Sequence, residues 1–112
     1  MDEIIVNGEK YIKAIIKTHE HFNIIRTYSA GVHAGDLYRR DGKEVELRNA
    51  RRIWYWKGAA SLSQMAVDGV SSPNECKFSV TVPIIILTEA IEIIPCTEKA
   101  MKSIMGVPVW KK

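Results

Sequence analysis

Over most of this chain apolar and polar residues follow the period of two expected of half-buried strands. The first apolar run, Ile4-Ile5-Val6, is followed by Asn7-Gly8 and then Lys10-Tyr11-Ile12. Asn-Gly between short apolar runs predicts a hairpin, with arms at residues 3–6 and 9–14. Residues 15–21 break the pattern and read as a connector. Phe22 to Ser29 is rich in β-branched and aromatic residues and reads as a strand, and Gly31 to Tyr38 continues in extended form. The two glycines of that second run, Gly31 and Gly35, predict a bulge or a close approach of backbones. Asp41-Gly42 makes a second hairpin turn. On the return strand, Lys43 to Leu47, Val45 and Leu47 point inward and Glu44 and Glu46 outward. Residues 50–56 extend the sheet or lie at its end.

The period changes in the middle of the chain. Across residues 59–69, Leu62, Met65 and Ala66 share one face at helical spacing, and Gly69 supplies the stop. Residues 71–74 read as a loop. Strands resume with Phe78 to Val82, which Pro83 interrupts, and with the continuous apolar run Ile84 to Leu87. That run reads as a buried core strand, or else as an exposed edge or subunit interface. Thr88 to Ile94 predicts a further strand ended by Pro95. Thr97 to Ile104 predicts a short helix with Thr97 as N-cap. The extended tail brings Trp110 back toward the body. Together these elements predict a small β-rich α+β domain. Its curved antiparallel sheet carries one short central helix and a short C-terminal helix.

Composition bounds the possibilities. The chain has 112 residues, 46% hydrophobic and 26% charged, which suits one folded domain over 1–112 and excludes a disordered chain. Within it, residues 1–14 form the hairpin and 22–110 the core. No apolar run approaches the roughly 18–20 residues of a membrane span. The formal charge of +3 is small, and no DNA-reading motif is present, so duplex DNA is not an expected partner. Cys76 and Cys96 form no CxxC pair and are too few for a disulfide framework, so both are expected as reduced thiols. The acidic start, Met1-Asp2-Glu3, is not a secretory signal, which points to the cytoplasm.

Unusual residue types concentrate in Arg51-Arg52-Ile53-Trp54-Tyr55-Trp56-Lys57, followed by Gly58-Ala59-Ala60-Ser61-Leu62-Ser63 at a predicted helix start. Aromatic faces stack bases, arginines grip phosphate with paired hydrogen bonds, and a helix start offers free amides. In this reading Trp54, Tyr55 and Trp56 stack, and Arg51, Arg52 and Lys57 neutralise phosphate. Ser61 and Ser63 hydrogen-bond it, and Arg26, Tyr28 and Ser29 converge from a neighbouring strand end. The competing reading puts Trp54 and Trp56 on one strand face, filling the core beneath the helix, with the arginines solvated. His19-Glu20-His21 offers half of a zinc site without further ligands, so no metal and no cofactor is expected. No GxSxG, Walker, HExxH or GxGxxG pattern occurs, so a binding protein rather than an enzyme is expected.

The runs Arg26 to Val32, Arg51 to Ser63, Asn74 to Phe78 and Glu92 to Pro95 resemble a family of small uncharacterised phage and prophage proteins. The resemblance covers about residues 22–110 and carries no activity to transfer. It implies a phage protein at work in a host bacterial cytoplasm, or a virion component. Such a protein would counter host defence by capturing a small nucleotide-like anion. Alternatively it would act as a protein-interaction module, a homo-oligomeric virion accessory or an inhibitor of a host protein.

Overall fold

The computed structural model describes residues 18–111, so the predicted hairpin at 3–14 lies outside the described residues. Within them six strands and two helices build one antiparallel open sheet with helices on one side. The strands are β1 (Thr18–Thr27), β2 (Val32–Asp41), β3 (Glu44–Tyr55), β4 (Lys77–Phe78), β5 (Val82–Leu87) and β6 (Ala90–Thr97). The helices are α1 (Leu62–Asp68) and α2 (Glu98–Met105). The sheet runs β4-β3-β2-β1-β6, and β5 pairs β3 beside β4.

This order forbids a flat sheet. Four inter-strand steps separate β5 from β6, roughly 19 Å if laid flat. Three Cα steps join Leu87 to Ala90, at most about 11 Å. The sheet therefore curls until its edges meet. Ala90 N donates to Lys43 O at 3.0 Å, and Tyr28 N donates to Glu89 O at 3.0 Å. The concave face collects Ile25, Val45, Leu47, Ala50, Leu87 and Ala90. The opposite face is covered by the helices and buries Phe22, Ile24, Ile53, Met65, Phe78 and Ile104, among others.

Bulges produce the bend. Between Ala34↔Arg51 and Asp36↔Arg48, β2 advances two residues and β3 three. The extra residue goes with Asn49, which sits at φ 52°, a conformation that asparagine tolerates better than most residues. It reverses the alternation of β3. Val45 and Leu47 face the concave core before it, Ala50 after it, and Arg51 and Ile53 turn to the helix side. Gly35 lies opposite. A Cβ there would stand 2.8 Å from Ala50 Cβ and 2.9 Å from its Cα, so the predicted close approach is real and the packing requires glycine.

Several boundaries differ from the sequence reading. β1 begins at Thr18, inside the expected connector. Pro83 and Pro95 lie within β5 and β6 rather than ending strands. Both strands are edges, where a missing N–H leaves no ladder partner wanting. The expected strand 78–82 is reduced to Lys77–Phe78. Ile84 and Ile86 are about half exposed, so the apolar run is an edge strand with one face in solvent, not a buried one. The central helix starts at Leu62 rather than Ala59, with Ser61 as its N-cap and Gly69 at φ 77° as its stop. Thr97 caps α2, accepting from Ala100 N at 3.0 Å and donating to Val67 O at 2.6 Å, which ties both helices together.

Gly35→Ala is expected to lower the unfolding free energy by about 1–3 kcal/mol, because Ala50 cannot retreat without breaking the bulge. Urea titration checks it; an unchanged midpoint would show that the bulge has room.

Candidate functional site

The two adjacent arginines of β3 point to opposite faces and do opposite things. Arg51 is 2% exposed. Its Nε donates to Ser79 O at 2.8 Å, and its Nη1 donates to Ile104 O at 2.9 Å and Val107 O at 2.6 Å. The guanidinium lies 5.4 Å from the Phe78 ring centre. It joins β3, the β4–β5 connection, the end of α2 and the tail. A cation among the last carbonyls of a helix is also favoured by the helix dipole. Burial lowers its pKa from the ordinary value, but an arginine stays charged. Arg51 is therefore a structural pin: three bonds tie it to carbonyls, while its Nη2 is buried without a hydrogen-bond partner.

Arg52 faces the concave side. Of the chain's six arginines it alone makes no side-chain hydrogen bond or ion pair among the described residues. It lines a cleft of about 200 Å³ with His33, Ala50, Trp54, Ser79, Val82 and Ile85, and Arg51 borders the same cleft. His33 pairs in register with Arg52 and is 1% exposed. Its Nε2 lies 3.0 Å from Ala30 O, and since a carbonyl only accepts, Nε2 carries the proton. Burial first, and the charge of Arg52 last, push its pKa down, so the ring is held neutral. Ser79 Oγ accepts from Arg52 N at 2.7 Å and donates to Val80 O at 2.8 Å, which occupies its hydroxyl.

Trp54 is the extra residue where Ile53↔Phe78 gives way to Tyr55↔Lys77, and the bulge turns its ring outward. It is 51% exposed and meets Trp110 edge to face, centroids 5.5 Å apart. The tail reaches that place because Trp110 N donates to Phe78 O at 3.0 Å. Lys77 Nζ lies 5.2 Å from the Trp110 ring centre and 6.0 Å from that of Tyr55.

The remaining expected residues do not gather here. Trp56 lies beyond the end of β3 and packs on the helix-side core, so it does not share a face with Trp54. Lys57 is paired with Glu75 at 3.1 Å. Ser61 accepts from Gln64 N at 3.1 Å, and Gln64 Oε1 accepts from Ala60 N at 2.8 Å. The start of α1 thus satisfies its own groups, and Ser63 is merely exposed. Gly58 is crowded by Ser71 and Ser72 rather than open to a ligand. Arg26 pairs with Glu92 at 2.9 Å, Ser29 donates to Glu89 at 2.6 Å, and Tyr28 is exposed. From His19-Glu20-His21, exposed His21 lines a second groove with Asp36, Tyr38 and Arg48. Cys76 and Cys96 are free and buried, and burial pushes the Cys96 thiol up to about 12. His33, Ser79 and Lys77 escaped the sequence reading, because strand register alone brings them to Arg52 and Tyr55.

Fold and site together define a small β-rich α+β domain with an arginine–tryptophan cleft on the concave side of its sheet. The chain belongs to the family described as "Domain of unknown function (DUF6948)", which matches residues 21–104. No curated protein and no solved structure matches it. Among the described residues no helix is long and apolar enough to cross a membrane.

Arg51→Met and Arg51→Lys are both expected to lower the unfolding free energy by about 2–4 kcal/mol, since neither side chain reaches three carbonyls. Arg52→Ala should stay within about 0.5 kcal/mol of the parent. Equal effects at the two positions in urea titration would contradict this division of labour.

Proposed function

We propose that the protein captures a small anionic, nucleotide-like ligand at the Arg52–Trp54 cleft without transforming it. The observation that carries this reading is the unpaired guanidinium of Arg52 beside the half-exposed indole of Trp54. A charge left without a carboxylate in a concave site favours an anion from solution, and an open aromatic face favours a flat ring. A capture role is supported over a catalytic one by the lining itself. His33 is neutral and tied to a carbonyl, and the Ser79 hydroxyl is already engaged. The phage setting and a role against host defence rest on the resemblance of the aromatic run to phage proteins.

A second reading, an interaction module or homo-oligomer, is favoured by one observation. Edge strand β5 carries Ile84 and Ile86 half exposed, with Tyr38 exposed two strands away.

Calorimetric titration of linear and cyclic nucleotides into the full chain tests the first reading. At least one should bind, and Arg52→Ala and Trp54→Ala should each weaken it about tenfold, in line with one charged hydrogen-bonding group or one stacked base. No heat from any member of the panel overturns the capture reading. A dimer by light scattering that Ile84→Lys dissolves would favour the second.

A further inference from the structure

The cleft is too small to enclose a nucleotide. Ligand pockets that bury a whole small molecule run to roughly 300–1,000 Å³, and this one holds about 200 Å³. One chemical group fits, and whatever is attached to it must continue over the surface. That surface is specific in character. From Trp54 it passes to Trp110, which is 40% exposed, and on to Lys77 and Tyr55, which is 49% exposed. Lys111 follows Trp110 directly and is exposed.

Its charge is one-sided. Between residues 50 and 88 the acids are Asp68 and Glu75, and none follows Glu98. Asp68 pairs with Lys99 and Glu75 with Lys57. Arg52, Lys77 and Lys111 have no carboxylate partner among the described residues. Arg52 and Lys77 flank the Trp54–Trp110 pair, and Lys111 adjoins it in sequence. Exposed rings alternating with unpaired cations match a ligand that alternates bases with phosphates. A duplex hides its base faces, while a single strand presents them.

We infer that the ligand of this site is single-stranded nucleic acid, one nucleotide seated at Arg52 and Trp54 and the strand running across Trp110 and Lys77. This inference rests on the capture reading and deepens it. Fluorescence anisotropy of a labelled twelve-residue oligodeoxythymidylate with the full chain tests it. The oligomer should bind, quench tryptophan fluorescence, and weaken with salt at a log–log slope of about −2 for three phosphates neutralised. Lys77→Glu, a surface change, should weaken the oligomer fivefold or more while leaving mononucleotide heats unchanged, and Trp110→Phe should leave folding intact and weaken it less. Arg52→Ala should weaken both ligands. If a mononucleotide binds and the oligomer gains nothing over it, the inference fails and the capture reading stands. If neither binds, both fail. Equal binding of a duplex or of heparin, or indifference to Lys77→Glu, reduces the surface to general polyanion attraction and overturns the inference.

Discussion

One guanidinium holds the parts of this molecule in place. Arg51 reaches from the middle of the longest strand to carbonyls of Ser79, Ile104 and Val107, which lie in two otherwise separate stretches of chain. Removing it would take a donor from each of these carbonyls, two of them in buried bonds, and a lost bond in such a setting is costly. Two nitrogens of the planar guanidinium, Nε and Nη1, serve the three oxygens, an arrangement that the single ammonium of a lysine does not reproduce. The chain end is thereby carried to Phe78, which brings Trp110 beside Trp54. The exposed aromatic surface thus depends on a residue that faces away from it.

The curl of the sheet supplies the other half of the geometry. A two-residue link between opposite edges forces concavity, and the bulge at Asn49 decides which side chains enter the hollow. Had β3 kept strict alternation from Val45, the odd-numbered residues would face the concave core throughout. Arg51 would then point into the hollow and Arg52 toward the helices. A local backbone reversal separates the buried cation from the one without a side-chain partner, and with it the structural role from the binding role proposed for Arg52.

Much of the architecture was legible in the chain. Asp41-Gly42 named its turn, Gly35 its bulge, and Thr97 and Gly69 their helix ends, because each acts through local sterics or local hydrogen bonds. Pro83 and Pro95 misled, since proline forbids a strand only where its nitrogen must donate, and that depends on which strands are edges. The richest motif was legible only in part. Arg51 and Arg52 are adjacent and chemically identical, so nothing local distinguishes a pin from a ligand group. Their fates follow from register, from Asn49, and from carbonyls more than twenty residues away. His33 was invisible for the same reason: its neighbour Arg52 arrives by strand pairing.

The central claim is that two neighbouring arginines divide the work, one closed into the fold and one open to an anion. Hydrogen exchange at the two arginine Nε–H groups, followed by NMR on the free protein, tests it most directly. The Arg51 proton, held by Ser79 O, should exchange orders of magnitude more slowly than that of Arg52 and be indifferent to added nucleotide, while that of Arg52 should slow on addition. Comparable fast exchange at both positions would contradict the account, whatever the stability of the fold.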